Sequence, residues 1–74
     1  MKTGNAVLKK RIGKALRAWR LKAGLVLTEI AKKIKVSQGS LSDIENGKTS
    51  PSHQTCYMLK KKYPETDWDE ILFN

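Results

Sequence analysis

The chain has very few of the residues that build disulfides, metal sites and rigid turns. Its 74 residues include one cysteine, one histidine and two prolines. A single thiol excludes an internal disulfide and a cysteine-based zinc cluster, and His53 has no second histidine or cysteine at metal-ligand spacing. We therefore expect no metal and no cofactor, and the low cysteine content suits a reducing, cytoplasmic location.

Long apolar runs are also missing. The apolar residues from Ala6 onward are interrupted by Lys9, Lys10 and Arg11, so the N-terminal stretch does not resemble a signal peptide. No run approaches the length needed to cross a bilayer. The sequence also has no nucleophile with a histidine beside it and no glycine-rich phosphate loop. We therefore predict a protein that is not an enzyme.

Acidic residues are scarce over most of the chain. Residues 1–62 carry all 15 basic residues and three of the seven acids, which gives a net charge of +12, whereas residues 63–74 carry four acids and no base. A field of this sign attracts polyanions and speeds their encounter. The alternative, on composition alone, is a basic surface that only keeps the protein soluble.

The length and the hydrophobic fraction of 39% indicate one small domain over residues 1–74, best built as a helical bundle. Apolar residues recur at spacings of three and four, which predicts helices. The predicted helices are Ala6 to about Ala23, Leu27 to Ile34, Gln38 to Glu45, His53 to Lys62 with Ser52 available as its cap, and a short fifth helix capped by Asp67. Residues 1–5 have no such periodicity and are predicted to be a loose arm.

The predicted helices each have one apolar face. On the first helix this face comprises Leu8, Ile12, Ala15, Leu16, Trp19 and Ala23. The opposite face is basic, so an alternative is that this helix lies on an anionic membrane surface. On the fourth helix, Cys56, Leu59 and Tyr63 are predicted to point inward, Tyr57 partly inward, and His53 to be a partly buried filler.

The predicted third helix is the one whose residues suit contact with another macromolecule. Ser37 is placed to cap it, and Gly47 follows it where a left-handed residue ends a helix. Only Leu41 and Ile44 are large and apolar within it, so one narrow stripe faces a core. The other faces carry small hydrogen-bonding side chains, which allow close approach to a partner surface.

A short second helix, a turn of about three residues and this polar third helix form a helix-turn-helix arrangement. The segments Leu25-Val-Leu-Thr-Glu-Ile-Ala31, Val36-Ser37, Leu41-Ser-Asp-Ile-Glu-Asn-Gly-Lys48 and Pro51-Ser52 resemble the Cro and phage-repressor (XRE-type) family. The resemblance runs from about Ile12 to Leu72. It implies an all-α, five-helix, lambda-repressor-like domain that binds operator DNA as a dimer, represses transcription and has no catalytic activity.

The resemblance also implies which residues contact DNA bases. Carried over by position, these are Gln38, Gly39 and Asp43, with Ser42 as a further candidate. Glutamine can pair with adenine N6 and N7 through two hydrogen bonds, so Gln38 is the best candidate for direct readout. Gly39 offers only close approach, and Asp43 needs a cytosine N4 donor or a nearby lysine because phosphates repel it.

The same resemblance implies a set of contacts with the DNA backbone, which position a protein without reading sequence. The residues implied are Ser37, Ser40, Asn46 and Lys48 around the third helix, and Leu27 and Thr28 at the start of the second. Leu27 stands where the family tends to have a phosphate-binding glutamine. It therefore leaves only backbone N–H groups and the helix dipole for anchoring. Val26 replaces the customary Ser or Thr cap.

Two charged residues fall where similar repressors form an interior or half-buried ion pair. Arg20 and Glu45 would tie the first helix to the end of the third and fix its orientation. The alternative is that they are two surface charges without measurable coupling.

Several partners remain open at this level. We expect a homodimer on double-stranded DNA, associating through the tail residues Trp68, Ile71, Leu72 and Phe73, because one short helix reads too few base pairs to be selective. A further domain beyond residue 74 would cover the same surface instead. An antitoxin that represses its own operon while holding a toxin, and a protein-interaction module built on the same fold, are the two rival functions.

Overall fold

A computed structural model describes the backbone of residues 2–73 and the side chains of residues 6–72. Within this range the chain forms five α-helices and no strand, as predicted. They are α1 (Lys2–Lys22), α2 (Leu27–Lys33), α3 (Gln38–Glu45), α4 (His53–Lys62) and α5 (Trp68–Phe73). None of these helices combines the length and the apolar character needed to span a bilayer.

Helix α1 begins at Lys2, four residues before the predicted start. The prediction of a loose arm is therefore wrong for the backbone of residues 2–5, and Met1 lies outside the described residues. The physical reason is cooperativity. Once a long helix has formed, each added residue gains a backbone hydrogen bond without a new nucleation step, so residues without apolar periodicity can extend it.

The core lies where α1, α3, α4 and α5 meet, with α2 packed against α3. Its buried members come from every helix: Ile12, Leu16, Ile30, Ala31, Ile34, Leu41, Ile44, Leu59, Trp68 and Leu72. The predicted stripe of α1 is too long at both ends, because Leu8 is 44% exposed and Ala23 is exposed. Leu8 precedes the part of α1 that the other helices cover, and Ala23 follows the last residue of α1.

The α4 helix turns a narrower face inward than the sequence predicted. Thr55 and Leu59, one turn apart, are buried, and Cys56 and Tyr63 are half-buried. Tyr57 is 60% exposed, so the prediction that it is partly buried is wrong. It follows Thr55 by two residues, about 200° around the helix, and therefore points away from the core.

The prediction for His53 is also wrong, because its side chain is exposed. It is the first residue of α4 and lies outside the face that Thr55 and Leu59 define. Ser52 caps the helix as predicted, accepting from the Thr55 N–H at 3.1 Å. The cap therefore fixes the start of α4 without help from a buried histidine.

An aromatic cluster holds α5 against α1. The Trp19 ring packs edge-on against Trp68 at 4.6 Å between centroids and against Tyr63 at 5.1 Å. Both indole N–H groups donate, that of Trp19 to the Thr66 hydroxyl at 3.0 Å and that of Trp68 to the Tyr63 carbonyl at 2.7 Å. Burial in this cluster raises the pKa of Tyr63.

A glycine in the middle of α1 lets that helix lie directly on the end of α3. Gly13 is buried, and a Cβ added there would overlap the Ile44 carbonyl oxygen and lie 2.7 Å from the Glu45 carbonyl oxygen. Backbone atoms cannot rotate away as a side chain can. Gly13 is therefore required by close approach of the two helices, although a mid-helix glycine ordinarily weakens a helix.

We predict that Gly13→Ala and Gly39→Ala change stability in opposite directions. Alanine is favoured over glycine in a helix by up to about 1 kcal/mol, and a Cβ at Gly39 meets nothing within 4 Å, so Gly39→Ala should stabilise the protein. Gly13→Ala should destabilise it by about 1–3 kcal/mol through overpacking. Urea unfolding followed by tryptophan fluorescence measures both. A stabilised Gly13→Ala variant would contradict the close contact.

Candidate nucleic-acid interface

Helix α3 begins at a well-formed cap that leaves its first turn exposed. The Ser37 hydroxyl accepts from the Ser40 N–H at 3.0 Å and donates to the Ser40 hydroxyl at 2.8 Å. Ser37, Gln38, Gly39 and Ser40 are all exposed. Four successive exposed residues at a helix start give a partner direct access to the leading turn of α3.

The buried face of α3 and its outer face lie on opposite sides of the helix. Leu41, Ile44 and Glu45 are buried. At about 100° per residue, Gly39, Asp43 and Asn46 lie on the opposite side of the helix. Gly39 lies near the middle of this outer face with open space around its Cα. The absence of a side chain there allows a second surface to approach the helix backbone closely.

Ser42 and Asp43, two of the predicted base contacts, are half-buried rather than fully exposed. The Ser42 hydroxyl accepts from the Asn46 side-chain amide at 3.4 Å. Asp43 lies at the edge of an open cleft between α3 and α4, beside Thr49, Ser50 and other hydroxyl-bearing residues. Both side chains remain reachable, but less so than Gln38.

The C-terminal end of α3 carries the basic side chain of the site. Lys48 N donates to the Asp43 carbonyl at 2.9 Å and Gly47 N donates to the Ile44 carbonyl at 3.1 Å. These two hydrogen bonds form a Schellman motif. Gly47 has φ of +75°, and a Cβ there would lie 2.9 Å from Lys10 Cγ. The turn therefore lies against Lys10 of α1, with the exposed residues Asn46 and Lys48 on either side of Gly47.

The start of α2 agrees with the features that the sequence predicted. Val26 occupies the N-cap position in an extended conformation and makes no side-chain cap bond. Leu27 is half-buried and packs against the core, while Thr28 is exposed. Leu27 therefore has only backbone N–H groups to offer a ligand, and the Thr28 hydroxyl is accessible.

The predicted ion pair between Arg20 and Glu45 is present and bidentate. Arg20 Nε donates to Glu45 Oε2 at 2.8 Å and a second guanidinium nitrogen donates to Oε1 at 3.0 Å. The remaining guanidinium nitrogen donates to the Leu25 carbonyl at 3.3 Å. Hydrogen bonding to Glu45 raises the pKa of Arg20, against the opposing effect of its burial. One side chain thus joins α1, the end of α3 and the segment before α2.

The structure corrects the predicted self-association surface. Trp68 and Leu72 are only 3% and 4% exposed because they pack into the core of their own chain. Neither is available to a partner without unfolding α5. Ile71 is half-buried, and the side chain of Phe73 lies outside the described residues.

Two residues that position α3 were missed by sequence reasoning. Both lie on α1: Gly13 lies against the last two residues of α3, and Lys10 lies against Gly47 in the turn that follows α3. The signal for Gly13 was a glycine inside an apolar helical pattern, which often marks close packing. Lys10 gave no signal, because it belonged to a basic face of α1 that reads as solvated surface.

Among the side chains of residues 6–72, no three His, Cys, Asp or Glu residues come together as a metal site would require. Burial raises the pKa of the Cys56 thiol, away from the thiolate form that binds metals. The accessible chemistry of this surface is hydrogen bonding and positive charge.

A helix-turn-helix family model matches residues 16–71. The chain belongs to the Cro/C1-type (XRE) helix-turn-helix family. The match covers α2, the turn, α3 and α4, together with the last third of α1 and most of α5. Comparison with curated proteins and with solved structures gave no significant match. Family membership identifies the protein as a DNA-binding helix-turn-helix regulator.

We predict that removing Arg20 from the ion pair costs more stability than removing Glu45. Glu45 has a side chain only 5% exposed, so Arg20→Met leaves a buried, uncompensated carboxylate and should cost about 3–5 kcal/mol. Arg20 is 14% exposed and keeps its bond to the Leu25 carbonyl, so Glu45→Gln should cost about 1–3 kcal/mol. Urea unfolding of both single variants and the double variant measures the coupling, and additive losses would contradict the pair.

Proposed function

We propose that this regulator is a repressor, of phage, prophage or mobile-element type, that reads a short DNA operator with α3 in the major groove. The observation that carries the proposal is the exposed leading turn of α3, with Gln38 at its start and Gly39 next to it. A major groove about 12 Å wide admits a helix, and glutamine can bond adenine through both N6 and N7.

The surrounding residues support a division between reading and anchoring. Gln38, Gly39, Ser42 and Asp43 are the proposed base contacts on the outer face of α3. The proposed backbone contacts are Ser37, Ser40, Asn46 and Lys48, with Leu27 and Thr28 at the start of α2. Lys48 requires only its charge for this role, whereas the hydroxyl and amide groups donate hydrogen bonds to phosphate.

The charge distribution supports the same polyanionic partner. The net charge of +12 on residues 1–62 is complementary to the negatively charged DNA backbone. The four acids of residues 63–74 form an end of the chain that DNA repels. We infer that α5 lies away from DNA and that the protein works in the cytoplasm, where its DNA target would be found.

We further propose that two copies bind a two-fold related site. An eight-residue helix is about 12 Å long and contacts few base pairs, so a dimer with half-sites about 34 Å apart would supply the missing selectivity. Ile71 is the predicted tail residue that remains partly exposed for association. A toxin or another protein held at this end would be the alternative partner.

We expect Gln38→Ala and Lys48→Ala to affect DNA binding in different ways. Selection from random duplexes first defines the preferred site of the wild-type protein. Gln38→Ala should then relax the preference at one base position by about 1–3 kcal/mol. Lys48→Ala should weaken binding to all duplexes evenly, and it should lower the salt slope, which is the slope of log K against log salt, by about 1.

Two outcomes would contradict the proposal. Equal behaviour of the two variants would remove the distinction between reader and anchor. Salt-sensitive binding by the wild-type protein without any sequence preference, together with tight binding to one acidic protein, would favour a protein-interaction module.

A further inference from the structure

The turn between α2 and α3 contains a lysine in a backbone conformation that suits glycine. Lys35 has φ of 60°, and among the residues that the structure describes it is the one non-glycine with a positive φ. It follows the last turn of α2, where Val36 N donates to the Ala31 carbonyl at 3.0 Å and Lys35 N to the Lys32 carbonyl at 3.3 Å. This is the position at which a left-handed residue closes a helix.

The chain uses glycine at the two comparable positions. Gly24, with φ of +71°, follows α1, and Gly47, with φ of +75°, follows α3. In the left-handed conformation the Cβ of an L-residue crowds the following carbonyl oxygen, which glycine avoids. Among residues 2–73, a non-glycine is therefore strained in this way at Lys35 alone, although the hydrogen bonds of the turn would be equally available to glycine.

The location of Lys35 suggests what its side chain contributes. Lys35 is exposed and precedes the α3 cap residue, Ser37, by two positions. It takes part in neither of the ion pairs that the structure contains among residues 6–72, which join Arg20 to Glu45 and Lys60 to Asp69. Its charge is therefore not used to stabilise the fold through an ion pair in that part of the chain.

We propose that Lys35 binds a DNA phosphate beside the groove that α3 enters. Phosphates line both edges of the major groove, and a long lysine stem next to the leading end of an inserted helix can reach one of them. The inference rests on the proposed function, because it requires the first turn of α3 to face the bases. The strained conformation of Lys35 then has a physical explanation, because the stability that it costs is compensated by higher affinity for DNA.

This assignment predicts that stability and affinity change in opposite directions. Lys35→Gly removes the strain and should raise Tm by about 4–8 °C. The same variant loses one phosphate contact, so the slope of log K against log salt should fall by about 0.9. Its Kd for duplex DNA should rise by about 5- to 10-fold near 0.1 M salt. Thermal unfolding and salt-dependent fluorescence anisotropy with the selected duplex provide the two measurements.

Two control variants separate strain from charge. Gly24→Lys places a lysine in the same conformation, where a Cβ meets nothing within 4 Å, and should lower Tm by a comparable amount. Lys62→Ala removes an exposed charge at the end of α4, beside Tyr63 and the aromatic cluster. Since it removes no phosphate contact, Lys62→Ala should leave the salt slope unchanged.

The outcomes distinguish this inference from the proposed function. If the wild-type protein selects a sequence but Lys35→Gly keeps its affinity and salt slope, the phosphate contact is wrong. An unchanged or lowered Tm in Lys35→Gly would overturn the strain argument. If the wild-type protein shows no sequence preference, the proposed function fails instead.

Discussion

The contact between α1 and the end of α3 is the constraint on which the rest of the structure depends. Arg20 fixes it by charge, donating two hydrogen bonds to a buried carboxylate at the last residue of α3. Gly13 fixes it by shape, because its missing side chain lets α1 rest on the α3 carbonyls. Since α3 is only eight residues long, it could not keep a defined orientation by itself. Its outer face is useful to a partner only because its inner face is held.

This arrangement separates two physical tasks along one short helix. The inner face of α3 has two large apolar residues and one paired acid, which provide rigidity. The outer face has small polar residues, which permit close approach and directional hydrogen bonds. Positive charge is placed at the ends of α3, on Lys48 after it and on Lys35 before it. Charge attracts any DNA sequence, whereas hydrogen bonds to base edges distinguish one sequence from another.

The sequence predicted the helices and their caps because their signals are local. Ser37 and Ser52 each accept from an N–H three residues later, and the bounds of α3 and α4 agree with the periodicity of their apolar residues. The ion pair of Arg20 and Glu45 was predicted by resemblance rather than by spacing. Residues 25 positions apart carry no local signal of contact.

The residues whose burial was mispredicted share one physical cause, which is that burial depends on neighbours in space. Tyr57 and His53 are exposed and Trp68 is buried because of the way α4 and α5 pack within the bundle. The closeness of Gly13 to two carbonyl oxygens depends likewise on a helix crossing. The left-handed conformation of Lys35 was hidden for a different reason. A lysine gives no sequence signal for a turn that glycine usually forms.

The role of α3 is tested most sharply by titrating the ¹⁵N-labelled protein with its selected duplex and following the amide chemical shifts. We expect the largest changes at residues 35–43 and 46–48, with the amides of α5 nearly unchanged. Largest changes in α4 or α5, with α3 unaffected, would contradict the presentation of α3 as the DNA-reading helix.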